Sequence, residues 1–94
     1  MIKTFKSKGL AAFWESGKTS KLAVQDKARV RRIQVILAAL DAASAPRDMD
    51  LPGLRFHSLA PGMPGRYSLM VTGNYRITFA WDNGAVDVDL EDYH

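Results

Sequence analysis

The sequence predicts an α+β domain with two N-terminal helices packed on one face of an antiparallel sheet, in the element order β-α-α-β-β-β-β. Two patterns and their punctuation carry that expectation. From Arg66 onward, apolar residues alternate at period two: Tyr67, Leu69, Val71; then Tyr75, Ile77, Phe79, Trp81; then Val86, Val88, Leu90. Such alternation, in β-branched and aromatic residues, marks half-buried antiparallel strands. Between about Leu22 and Ser44, Val30, Ile33, Ile36 or Leu37, Leu40 and Ala43 recur at helical spacing, a stripe suited to a core. Glycine, asparagine and proline fall between these runs.

Met1–Lys6 alternates well enough for a short strand at a sheet edge, where Lys3 and Lys6 would discourage further pairing. Gly9–Glu15 is a short helix with Leu10, Phe13 and Trp14 on one face, stopped by Ser16-Gly17. Thr19 or Ser20 is available to cap the next helix. That helix runs for over twenty residues, to the break at Ala45-Pro46. Ala45–Gly53 reads as a linker, Leu54–Leu59 as a short strand and Ala60–Gly65 as a turn-rich loop. The final three strands form a meander with turns at Thr72-Gly73-Asn74 and Asp82-Asn83-Gly84. A two-residue turn at Asn83-Gly84 would set Trp81 against Val86, Phe79 against Val88 and Ile77 against Leu90. A two-residue turn at Gly73-Asn74 would pair Val71 with Arg76, so a longer loop or a bulge is expected there.

Residues 1–94 make one domain, with room for one modest core. The 47% hydrophobic and 24% charged content is ordinary for a globular protein. The absence of cysteine removes disulfides and thiolate metal sites. No apolar run is long enough to span a bilayer and no signal peptide is read at Met1, so the expectation is a cytoplasmic protein without membrane partners. The net charge is +3, unevenly spread. Residues 1–32 hold six lysines and three arginines against Glu15 and Asp26, whereas residues 82–94 hold five acids and no lysine or arginine. The basic front half fits an anionic partner, nucleic acid first, or equally a solvated helix face.

Both histidines, His57 and His94, lie in the C-terminal half, and the chain ends Glu91-Asp92-Tyr93-His94. If residues 54–59 paired near the last strand, two imidazoles, Asp92 and Tyr93 would meet. Imidazole titrates nearest neutrality and suits general acid–base work. Arg76, Arg55 and Arg66 are the candidate cations for a phosphoryl group. Metal-independent RNA cleavage needs a base for the 2′-hydroxyl, an acid for the leaving 5′-oxygen and cations for the phosphorane between them. The plainer reading makes His94 a frayed end. No metal or cofactor is expected, since His-x-His and His-Glu-x-x-His spacings are absent. The Gly62-Met63-Pro64-Gly65 loop lacks a following Gly-Lys-Ser/Thr, and no nucleophile elbow occurs. Trp14, Tyr75, Phe79 and Trp81 keep helix or strand register and read as core.

Met1-Ile-Lys-Thr-Phe-Lys-Ser-Lys-Gly-Leu10, Asn74-Tyr-Arg-Ile-Thr-Phe79 and Glu91-Asp-Tyr-His94 together resemble the HigB (plasmid-maintenance killer) toxins of the RelE/ParE superfamily. The likeness runs end to end. It implies two helices against an antiparallel sheet and the toxin half of a toxin–antitoxin pair that cleaves mRNA on the translating ribosome. It also implies a helix-turn-helix antitoxin, through which the pair reaches operator DNA. By resemblance His57 and His94 share base and acid duties, Asp92 orients or assists, Tyr93 contacts the nucleotide and Arg76 holds the scissile phosphate. The chain departs from the family where relatives carry Leu-Lys-Gly-Asp and a basic strand residue. Here stand Leu59-Ala60-Pro61-Gly62 and Met70. Arg66 and Arg55 are the expected substitutes for the missing cations. Rival expectations are a gyrase poison, which needs no histidine pair, and a decayed toxin acting as a corepressor.

Overall fold

The computed structural model describes residues 1–92 and contains two α-helices, a short 3-10 turn and four strands. Helix α1 spans Lys8–Ser16. The Ser7 hydroxyl accepts the Leu10 N–H at 3.1 Å, which satisfies one of the unpaired donors of the first turn. Gly17, with φ 72°, closes the other end and returns its N–H to the Phe13 carbonyl. Helix α2 spans Lys27–Ala42, so it begins later than its apolar pattern implied. Asp26 is its cap, accepting from the Arg29 N–H. Leu22 and Val24 are buried ahead of the helix in an irregular segment held by Gln25 Nε2, which donates to the Thr19 and Leu22 carbonyls. Apolar character there records burial, not helix. Beyond α2, the expected linker folds into a 3-10 turn at Pro46–Met49. The Asp48 carboxylate accepts from the Ser44 and Ala45 N–H groups, and Met49 is buried.

The sheet contains β1 (His57–Ser58), β2 (Arg66–Met70), β3 (Tyr75–Trp81) and β4 (Ala85–Asp92), antiparallel throughout and ordered β1-β2-β3-β4. Only His57 and Ser58 of the expected Leu54–Leu59 strand pair regularly. Arg55, at φ 48°, turns the chain out of extended conformation just before them. The first hairpin turns through Thr72-Gly73-Asn74 and sets Leu69 against Ile77 and Tyr67 against Phe79, one coherent apolar face. The second hairpin turns through Asp82-Asn83-Gly84, so Trp81 faces Ala85 instead of Val86. A bulge at Asp87 (φ 50°) absorbs the extra residue of β4, and Ile77 meets Leu90 as expected.

The N-terminal segment lies on the outer edge of β4, parallel to it, through isolated bridges Ile2–Ala85 and Phe5–Val88. It is edge pairing without a continuous strand. Lys3 Nζ donates to the Asp82 carbonyl at 2.8 Å, and Thr4 Oγ1 accepts the N–H of the bulged Asp87 at 2.8 Å. The core fills the space between the helices and one sheet face. Leu10, Ile33, Leu37 and Leu40 meet Leu69, Ile77, Phe79 and Val88, all fully buried. Trp14, Tyr75 and Trp81 pack at its margin. None of the helices is long and apolar enough to cross a membrane, among the described residues.

Candidate active site

Cross-strand partners project from the same side of a sheet, and side chains alternate along each strand. The register therefore sorts the chemistry-bearing residues. His57, Ser68, Thr78 and Asp89 form one row across all four strands, on the face turned away from the helices. Arg66, Met70, Arg76 and Glu91 share that face.

His57 is exposed on edge strand β1. Its Nδ1 lies 2.9 Å from the Arg55 carbonyl, brought within reach by the turn at Arg55. A carbonyl can only accept, so Nδ1 carries the hydrogen. In the neutral ring Nε2 is then an unprotonated acceptor, the form a general base requires. The backbone bond also fixes the ring's orientation.

Arg66, the first residue of β2, is half-buried, and its guanidinium reaches inward across this face. Its Nη2 donates to Thr78 Oγ1 at 2.9 Å and to the Asp87 carbonyl at 3.1 Å. The residue opposite Arg66 on β3 is Ala80, whose short side chain leaves the diagonal to Thr78 open. Thr78, itself buried, passes its hydroxyl hydrogen to Glu91 Oε2 in a short bond. A chain Arg66–Thr78–Glu91 thus crosses β2, β3 and β4. The spacing of Thr78 and Glu91 did not single them out in the sequence, because their link depends on cross-strand register. Ser68, between His57 and Thr78, is fully buried, and its Oγ has no hydrogen-bond partner among the described residues.

Arg76 Nη1 donates to the carbonyls of Thr72, Gly73 and Tyr75, gathering the tip of the first hairpin. Arg55, two residues before His57, is exposed. Asp92 pairs in register with Tyr75, which places it on the side of Ile77 and Leu90, away from His57. The strand order also sets β1 three strand spacings from β4, about 14 Å. His57 therefore pairs beside β2 and not beside the last strand. Tyr93 and His94, the remaining candidates, lie outside the described residues. Among the described residues no group of three or more histidines or acids is arranged to hold a metal ion.

An antiparallel sheet backed by two helices, with a histidine and two arginines on its open face, is consistent with the small RelE-like toxins. Comparison with known proteins agrees. A family model described as the RelE-like toxin of type II toxin–antitoxin system HigB matches residues 3–94. The chain is 40% identical to the Endoribonuclease HigB of Proteus vulgaris over 95 aligned residues, covering all of both proteins. It is 34% identical to Toxin HigB-1 of Vibrio cholerae serotype O1 over 87 residues, which cover 89% of this chain and 87% of that one. The chain belongs to the HigB-like toxin family.

Proposed function

We infer that this protein is a ribosome-dependent, metal-independent endoribonuclease, the toxin of a type II pair, and that mRNA lies across the open face of its sheet. The observation that carries this reading is His57. It is exposed on that face, and its Nδ1–H is committed to the Arg55 carbonyl, so Nε2 can accept a proton. The endoribonuclease name of the full-length Proteus vulgaris relative points the same way.

In the proposed reaction, His57 Nε2 takes the proton of a 2′-hydroxyl as its oxygen attacks the adjacent phosphorus. The bond to the 5′-oxygen breaks, and an acid from the chain end returns a proton to it. The products are a 2′,3′-cyclic phosphate and a 5′-hydroxyl. His94 is assigned the acid role, Tyr93 contacts the nucleotide and Asp92 orients the chain end. Arg66, Arg76 and Arg55 are the cations assigned to oppose the charge that accumulates on the phosphorane. The partner is a helix-turn-helix antitoxin that neutralises the toxin and carries the complex to its operator, and the setting is the cytoplasm.

Induction of the wild type and His57→Ala without antitoxin tests this reading. The expected outcome is growth arrest with new mRNA 5′ ends bearing hydroxyl groups in the wild type, and loss of both in the variant. Arrest with altered DNA supercoiling and intact mRNA would replace this reading with gyrase poisoning.

A further inference from the structure

We propose that Thr78 and Glu91 are positioning residues that hold Arg66 as the phosphate-binding cation on the open sheet face. The inference rests on the nuclease reading above and adds two residues to it. A free arginine side chain on a sheet surface samples many rotamers, and a cation that must be gathered at the moment of reaction stabilises it poorly. Here both acceptors of Nη2, Thr78 Oγ1 and the Asp87 carbonyl, belong to the sheet itself. Nη1 and Nε make no hydrogen bond to the described residues, so their hydrogens remain to be donated to phosphate oxygens.

The support is set from beneath. A threonine hydroxyl has one hydrogen, and Thr78 gives it to Glu91 Oε2, which turns its lone pairs toward Arg66. Thr78 is fully buried, so water does not compete for either bond. The Glu91 carboxylate thus fixes the direction in which Thr78 accepts, and Thr78 fixes where the guanidinium stands. The Asp87 acceptor depends on the bulge, which turns that residue's backbone out of regular pairing.

The test is a kinetic cycle with the purified full-length protein, translating ribosomes and a defined mRNA, reading kcat and KM separately. Thr78→Val keeps the shape of the side chain and breaks the chain of hydrogen bonds. It is expected to lower kcat by roughly 10-fold or more, with KM changed less. Thr78→Ser, which retains the hydroxyl, recovers most of that loss. Glu91→Ala lowers kcat in the same direction. In an Arg66→Ala background, Thr78→Val and Glu91→Ala each change kcat by less than about twofold, because residues acting through one another are not additive. Equal losses in both backgrounds, or no loss from Thr78→Val in the wild type, would overturn the inference while leaving the nuclease reading in place. Absence of cleavage by the wild type would overturn both.

Discussion

The Asp41 carboxylate, one residue from the end of α2, accepts the backbone N–H of Ile2 at 2.9 Å, a contact between positions thirty-nine apart in the chain. The N-terminal segment is therefore fastened twice, to the helix layer through Asp41 and to the edge of β4 through its own backbone. Lys3 N–H donates to the Ala85 carbonyl at 2.7 Å, and Met1 and Thr4 carbonyls accept from Ala85 and Val88 at 2.9 and 3.1 Å.

Asp41→Ala removes the helix-side fastening. The expected loss is about 1 kcal/mol of unfolding free energy, read from the denaturant midpoint. The Ala85 and Val88 amides should exchange faster with solvent, since they pair with the released segment. Unchanged exchange at both would mean that strand pairing alone seats the chain start.

Gly9→Ala reverses an ordinary helix rule. Replacing glycine within a helix usually stabilises by about 1 kcal/mol. Gly9 is buried in α1, and a Cβ there would stand 2.3 Å from the Lys21 carbonyl oxygen, a backbone atom that cannot swing aside. Thermal unfolding of the variant is expected to show a lower Tm. A raised Tm would mean that the Lys21–Leu22 segment yields without penalty.

Ser68→Ala should separate stability from activity. The Ser68 hydroxyl is buried without a partner, and its removal is expected to raise stability by up to about 1 kcal/mol. Ser68 lies directly between His57 and Thr78 in the row across the sheet. A stabilised variant with reduced RNA cleavage would show that the hydroxyl supports the site from beneath. A stabilised variant with full cleavage would show a packing residue.

Arg66→Ala is expected to reduce RNA cleavage by around 10²-fold, the scale of losing one electrostatic stabiliser, and by more than alanine at Lys6, Lys8 or Lys18. Parallel cleavage assays on these variants check the ranking. Activity equal to the wild type would show that Arg66 does not stand in for the basic residues this chain lacks at Ala60 and Met70.

Much of the fold was legible because burial imposes a period. The stripes Tyr67-Leu69 and Ile77-Phe79 found each other as their spacing required, and the Ser16-Gly17 stop of α1 is the observed cap. The start of α2 misled because Leu22 and Val24 are buried in an irregular segment, and burial writes the same apolar residues whatever the backbone does. The bulge at Asp87 left no mark, since an aspartate at positive φ looks like any other polar strand residue. In the candidate site, His57 stood out as a residue type, whereas the link between Thr78 and Glu91 became visible only through register. Their hydroxyl and carboxylate are common side chains until a diagonal across three strands joins them.

Strand β1 is two residues long and exposed, and Arg55 bends the backbone away immediately before it. An outer strand this brief presents too few free donors and acceptors to template a neighbouring molecule, while the opposite border is already occupied by residues 1–6. Neither border therefore offers a second copy of the chain a long regular strand to pair with.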